Sequence, residues 1–520
     1  FNLWYVDVES GEAKKVDTER FAHPDRSLNP QWSPDSKWIA YARQLDNQFK
    51  VVNVHNVETG QTLQLTDGMA DAISPVWDAN GKYLYFLAST NYGLNTGWLD
   101  MSSYNMPVTR GLYLIVLDKE DPSPLAPLSD EEASDEEEGS EDKKKEEVAV
   151  NIDMEGIQQR ILAIDVPIRN YTGLLPAPKD HVFYMEDIPN QSGVTLHRYS
   201  LKDRKAVALM ERVNEANTSH DRKSLLYRSG STWGILKTTA SSAKAGDGRL
   251  SVNMRLKVHP QEEWLQIFRE GWRYQRDFLY VDNVHGAPWD QVYEWYRPWV
   301  DHVRHRSDLN YIVDIVGGEV AVGHSYTSGG DFPDLDNVDV GLLGADIAPA
   351  GGYYRIQKIY TGENWNPNLR APLSGPGIDA QEGDYILEVD GQPLTSSDNF
   401  FSAFEATANR QVRLRLNDSP NMEGSRLITV VPVRSERQLR TFDWVEGNRR
   451  KVDELSDGQL AYVYVPNTGN GGYTYFNRYY FSPQNKKGAV IDERNNGGGS
   501  AADYMEELIN RNLVGVFKSK

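Results

Sequence analysis

Cysteine is missing from all 520 residues, and with it go disulfides, thiol nucleophiles and cysteine-ligated metals. Long apolar runs are missing too. Nowhere do about 18 apolar residues follow one another, so no membrane-spanning helix is predicted. Basic charge is scarce: 55 Lys and Arg face 75 Asp and Glu, a formal net charge of −20. Neutralising a phosphate backbone takes an excess of cations, which argues against nucleic acid as a partner. The chain also opens without a methionine or a leader. "FNLWYVDVESGE" reads as the last strand of something already under way, so a fragment is expected.

Part of the acidity is local. "SDEEASDEEEGSEDKKKEE" (129–147) holds too little apolar surface to order itself. It is predicted to be a disordered insert at about 119–150, with an acidic binding arm as the other reading. The ten histidines form no HExxH, and no metal and no cofactor is predicted. His302 and His305 are expected to be solvated on a charged helix face.

What is present is organised by repeats. "NPQWSPDSKWIAYA", with Trp32 and Trp38, is echoed by "ISPVWDANGKYLYFLA", with Trp77 and Tyr83. "LWYVDVESGE" and "VVNVHNVETGQ" repeat alongside, and fainter copies follow at 179–187 and 220–229. Short strands joined by Asp/Asn-Gly or Asp-Ser turns at a period near 45 residues point to β-propeller blades. A non-closed β-sandwich is the alternative. Residues 1–253 are therefore read as a partial propeller, with the acidic insert between two strands of one blade.

From 255 to 333 the period becomes helical. Trp264, Ile267, Phe268, Trp272 and Leu279 share one face. A second helix runs through Val292, Tyr296 and Val303, with a kink expected at Pro298. Ser307 is expected to cap a third that ends at Gly317 and Gly318. The Trp and Tyr residues are read as core, a ligand cage being the alternative. Strands return at 338–434, where "GLLGAD" (341–346) and "GDYILEVDGQPL" resemble a PDZ domain, with "NFFSAFEATA" (399–408) as its groove helix. A generic small β-barrel is the bland alternative. Residues 436–520 read as the start of an α/β domain. It ends on "VIDERNNGGGSAADYMEEL", where a strand meets Gly497, Gly498 and Gly499 and then a helix. Such glycines serve a tight turn, or leave bare N–H groups to hold a developing negative charge. His324 lies in the loop "EVAVGHSYTSGGD". An isolated loop histidine is ordinarily structural, and without context it identifies no chemistry.

Taken in order, the propeller units, "FREGWRYQRDFLYVDNVHGAPWDQVYEWY", "GHSYTSGG", the PDZ unit and "GAVIDERNNGGGS" resemble the tricorn-type serine proteases of the tail-specific and C-terminal-processing superfamily. The resemblance covers essentially the whole chain. It implies a multidomain protein: partial β-propeller, small helical domain carrying His324, PDZ-like domain and truncated α/β catalytic subdomain. It implies a serine endopeptidase acting on peptides and unfolded polypeptides, with His324 as general base and Gly499 as backbone oxyanion donor. Gly497 and Gly498 are implied to keep the substrate's approach open, and Phe517 falls where the family sets side-chain preference, which would favour apolar residues. The chain departs from the family at Gly323, where a serine would orient the histidine, so another hydroxyl or a water must do so. The nucleophile and a supporting glutamate are implied beyond Lys520, with Ser500 a helix cap, so the fragment is expected to be inactive alone. The family further implies a homo-oligomer, hexameric in its large assemblies, and a cytoplasmic location, with periplasm or secretion left open by the expected missing N-terminus. The competing reading is a non-enzymatic peptide-binding scaffold that keeps the propeller and PDZ-like domains.

Overall fold

The computed structural model describes residues 2–19, 28–90, 108–127, 148–483, 485–512 and 514–515. It divides into two compact units, Phe1–Val252 with Lys451–Lys520, and Asn253–Arg450.

Residues 2–237 form five antiparallel sheets in chain order. Two strands, Asn2–Val6 and Ala13–Thr18, make the first. Three four-stranded sheets follow, beginning at Gln31, Asp71 and Tyr171, and a three-stranded sheet begins at Glu215. The repeat has a local cause. Each of the last four sheets opens on a tight turn with one residue in the left-handed region: Ser36 (φ 61°), Gly81 (φ 73°), Asp180 (φ 60°) and Arg222 (φ 57°). Short polar side chains stabilise these turns. Ser33 Oγ donates to Asp35 and accepts from Trp38 N–H. Ser219 does the same with Asp221 and Ser224 N–H.

Apolar cores lie between successive sheets. Ala40, Val52 and Val54 meet Ala72, Trp77 and Leu84; Val76 and Tyr85 meet Tyr171 and Val182; Phe183 and Leu196 meet Leu225 and Tyr227. Each of the larger aliphatic and Phe side chains among them contributes about 1.5–3 kcal/mol by leaving water. One carboxylate ties turns from different sheets together. Asp78 is fully buried and accepts from Tyr85 Oη, Asn80 N–H and Asp180 N–H. Burial raises its pKa, against those hydrogen bonds.

The acidic tract 129–147 lies outside the described residues, in the connection between strands Gly111–Val116 and Ile161–Ala163 of one sheet. The flanks expected to be disordered with it are not. Leu125 packs against the core, Arg204 donates to Pro124 O, and Val150 is buried with its N–H on Asp35.

In the second unit, α1 (Pro260–Phe278), α2 (Trp289–Val300) and α3 (Arg306–Gly318) pack around Phe268, Val292, Leu309 and Ile312. Pro260 at the first turn and Glu262 and Glu263 beside it suit a helix N-terminus. Trp272 and Trp289 each donate an indole N–H to the other's carbonyl, at 2.8 and 3.0 Å. The aromatic residues are only partly core, since Trp295 and Trp299 are about half exposed. The cap of α3 is His305, not Ser307. The imidazole accepts from Ser307 N–H while Asp308 accepts from His305 N–H. His305 is thus exposed, as expected, but it caps α3 instead of lying along the helix face.

The PDZ-like sheet runs in the order Ala345–Ala350, Tyr353–Ile359, Tyr385–Val389, Val412–Asn417, Arg426–Val430, with Ala345–Ala350 at one edge. The groove helix expected over 399–408 is a 3₁₀ turn, Phe400–Phe404. Phe404 is buried, and the chain then leaves helical geometry, with Ala406 at φ 55°. Helix α4 (Arg437–Leu455) follows. The remaining elements are two parallel strands, Leu460–Tyr464 and Gly488–Asp492, connected through α5 (Asn470–Phe481), and then α6 (Ala502–Ile509).

Candidate active site

In parallel α/β layers, ligands gather beyond the carboxyl ends of the strands. Two loops leave that end here, 465–469 and 493–501, and they interlock. Val465 N–H donates to Asp492 O, Gly497 N–H to Pro466 O, Thr468 N–H to Gly498 O, and Ala501 N–H to Thr468 O. One side chain adds to the lock and another braces its own loop. Asn496 donates Nδ2–H to Val465 O and accepts Gly498 N–H at 2.7 Å. Asn467 Oδ1 accepts from Gly469 and Gly472 N–H, both at 2.9 Å.

The three glycines differ in their hydrogen bonding. The amides of Gly497 and Gly498 are occupied, whereas among the described residues Gly499 N–H has no acceptor. Gly499 has φ 139°, and a Cβ there would lie 2.3 Å from Thr468 C and 2.5 Å from Gly469 N. No side chain fits against that backbone. Gly498 (φ 78°) would meet nothing within 4 Å, and Gly497 has 3.8 Å of clearance and no positive φ. The bare backbone is thus required by the fold itself at 499 and by no contact at 497. Ser500 does not cap α6; the capping position is Ala501, without a side-chain bond. Phe517 lies outside the described residues.

Asp492 anchors the turn from below. Its buried carboxylate accepts from Tyr462 Oη at 2.6 Å and from Arg494 Nε at 2.9 Å. The Arg494 guanidinium is the main cause of a pKa held well below the usual carboxylate range, opposed by desolvation. A depressed folded pKa stabilises above the unfolded value, about 3.9, and that contribution is lost as pH falls through the folded one. Melting curves between about pH 5 and pH 2 should show the wild type losing more stability than Asp492→Asn. Parallel losses would mean that the pair does not hold the turn.

His324 belongs to the other unit, in a stretch after Val320 without regular structure. It is exposed, with φ 66°, an uncommon conformation for a non-glycine residue. Its Nδ1 lies 3.3 Å from Tyr326 Oη, the rings meeting edge-on at 6.1 Å. A hydroxyl thus lies within hydrogen-bond reach of the ring, two residues beyond the histidine. Steric need does not explain Gly323, because a Cβ there would meet nothing within 4 Å.

Within the same unit a cavity of about 350 Å³ lies along the edge strand Ala345–Ala350, walled by Leu342, Leu343, Ile347, Phe400 and Phe401. Arg440 of α4 also lines it. It donates to Glu436, Asp346, Tyr360 Oη and the edge carbonyl of Ala345. Sequence periodicity did not reveal α4 or Arg440. Among the described residues no group of three or more His, Asp or Glu is placed to hold a metal ion. No described helix is long and apolar enough to cross a membrane.

Propeller sheets, a three-helix segment, a PDZ-like sheet and the opening of an α/β layer define a multidomain class also found among known proteins. The family described as the tricorn protease second β-propeller domain matches residues 1–239, the tricorn protease C1 domain 260–317, and the tricorn protease PDZ domain 341–435. The tricorn protease homolog of Saccharolobus solfataricus is 26% identical, over 99% of this chain and 47% of its own length. Tricorn protease homolog 1 of Streptomyces coelicolor is 29% identical, over 98% and 49%. The crystal structure of the tricorn protease superposes with a TM-score of 0.83 at 23% identity, over 99% of this chain and 50% of that one. The chain carries tricorn protease family domains in the order propeller, C1, PDZ, and is similar to tricorn proteases along nearly its whole length. It spans about half the length of the curated relatives it matches.

Proposed function

We propose that this chain supplies the general base and an oxyanion donor of a serine-type endopeptidase acting on peptides and unfolded polypeptides. His324 Nε2 takes the proton of a serine hydroxyl as that oxygen attacks the scissile carbonyl. Tyr326 Oη accepts a hydrogen bond from Nδ1–H, which leaves Nε2 as the basic nitrogen. Gly499 N–H donates to the oxyanion of the tetrahedral intermediate. The nucleophile and a supporting glutamate come from sequence beyond Lys520. The family further suggests a homo-oligomer, hexameric in its large assemblies, and a cytoplasmic location.

The observation that carries this reading is the open N–H of Gly499, in a turn where the neighbouring glycine amides are occupied. A catalytically silent peptide-binding scaffold is the second reading, favoured by Gly323 and by the apolar groove beside Ala345–Ala350. Fluorogenic peptides and a serine-reactive phosphonate separate the two. Protein extended beyond Lys520 to the length of its relatives is expected to turn over the peptides and to take the label on a serine in the added part. Residues 1–520 by themselves are expected to do neither. Labelling at Ser500, or turnover by residues 1–520, defeats the assignment; an inert extended protein favours the scaffold.

A further inference from the structure

The propeller carries a lysine-lined cavity that the peptidase reading does not use. Its origin lies in the repeat. The residue after the left-handed turn position is Lys37, Lys82, His181 and Lys223 in successive sheets. In the first two the ammonium is neutralised, Lys37 at 3.6 Å from Glu58 and Lys82 at 2.6 Å from Asp121. Lys223 departs from that pattern. Among the described residues no carboxylate forms an ion pair with it, nor with Lys179 or Lys237, and all three line one cavity of about 560 Å³.

The rest of the wall neutralises them only in part, Asp221 acting on Lys223 and the buried Asp78 on Arg222. Arg222 lies in it, its guanidinium donating to Trp77 O and Ala177 O. Asp221 is the one acid, and its carboxylate is turned to its own loop, accepting from Ser219 Oγ at 2.6 Å and Lys223 N–H at 3.1 Å. Four cationic groups against the single carboxylate of the wall leave an excess of positive charge that an entering anion would relieve. They do so in a chain whose formal net charge is −20, where carboxylates to pair with are plentiful.

We propose that this cavity binds the carboxylates of an acidic peptide segment. Its size suits a ligand of several residues, since pockets of about 300–1,000 Å³ enclose drug-sized molecules. Ala79 and Pro178 give it an apolar floor. Lysine ammoniums are point charges on flexible stems, which suits carboxylates spread along a chain more than one phosphate held by converging donors. The proposal is independent of His324 and Gly499.

The test is fluorescence anisotropy of a labelled tetraglutamate peptide on residues 1–520, with a tetraglutamine peptide and inorganic phosphate as further arms. Glutamate peptide binding should fall at least about tenfold in the triple variant Lys179→Gln, Lys223→Gln, Lys237→Gln, and should weaken with salt as exposed charge pairs do. Tetraglutamine should bind at least about tenfold more weakly than tetraglutamate. Lys37→Gln, which removes an ion-paired lysine of the same repeat position, should bind like the wild type. All four lysines are exposed, and an unchanged melting temperature verifies that the variants fold. Equal binding by wild type and triple variant overturns the proposal, as does equal binding of the two peptides. Phosphate that displaces the peptide at the peptide's own concentration would show a small-anion site instead.

Discussion

Replacing His324 by alanine, in protein extended to the length of its relatives, is expected to lower kcat about 10³–10⁴-fold with little change in KM. A serine hydroxyl at neutral pH is almost wholly protonated and nucleophilically weak, so the rate rests on a group that removes its proton as attack begins. The side chain is exposed in its loop and takes no part in a core, so loss of folding does not confuse the result. Tyr326→Phe is the companion measurement. It deletes only the hydroxyl 3.3 Å from Nδ1. A hydrogen bond of net worth about 0.5–1.5 kcal/mol corresponds to roughly a three- to tenfold fall in kcat at constant KM. If His324→Ala retains activity within about threefold, the histidine is structural and the base lies elsewhere. If His324→Ala abolishes activity while Tyr326→Phe is silent, the base stands and its orientation comes from another group.

Much of the fold was legible in the sequence because it depends on local chemistry. The sheets beginning at Gln31 and Asp71 announce themselves through "SPDSKW" and "DANGKY", where turn formers and a left-handed position recur at fixed offsets from apolar strands. The helices α1 to α3 show through their apolar period. What escaped was set by contacts distant in sequence or by competing local bonds. Ser307 looked like a cap from residue type, yet His305, two residues earlier, accepts its N–H. The stretch 399–408 has helix-forming residues, but burying Phe400 and Phe404 against the PDZ-like sheet stops it after one 3₁₀ segment. Helix α4 buries only Leu439 and Val445, too few apolar positions to leave a period. At the candidate site, the motif drew attention to the glycine turn but not to its supports. Asn496 is an ordinary loop residue until its hydrogen bond to Val465 O joins two loops that leave neighbouring parallel strands, and Asn467 braces the start of α5 from within its own loop.

The three glycines of the turn offer the sharpest separation of roles, and they should not respond alike. Gly499→Ala places a Cβ 2.4 Å from Thr468 O and 2.5 Å from Gly469 N, with φ at 139°. Neither neighbour is a flexible side-chain end, so loop 465–469 or loop 493–501 must move. Movement takes the Gly499 N–H off its line, and loss of one oxyanion donor lowers kcat about 10²–10³-fold. Hydrogen exchange in the two loops should rise at the same time, because Thr468 N–H and Ala501 N–H are bonded across them. Gly498→Ala meets no atom within 4 Å but keeps φ at 78°. It is expected to cost roughly 1–2 kcal/mol of local stability and far less activity. Gly497→Ala has 3.8 Å of clearance and an ordinary φ, so its activity should stay within about twofold of wild type, as for substitutions that touch nothing special. A different order would be informative. If Gly497→Ala is as damaging as Gly499→Ala, then contact with substrate, not the geometry of the turn, demands bare backbone there. If Gly499→Ala stays active while its loops exchange faster, the oxyanion is held by other donors and Gly499 serves only the interlock with Thr468.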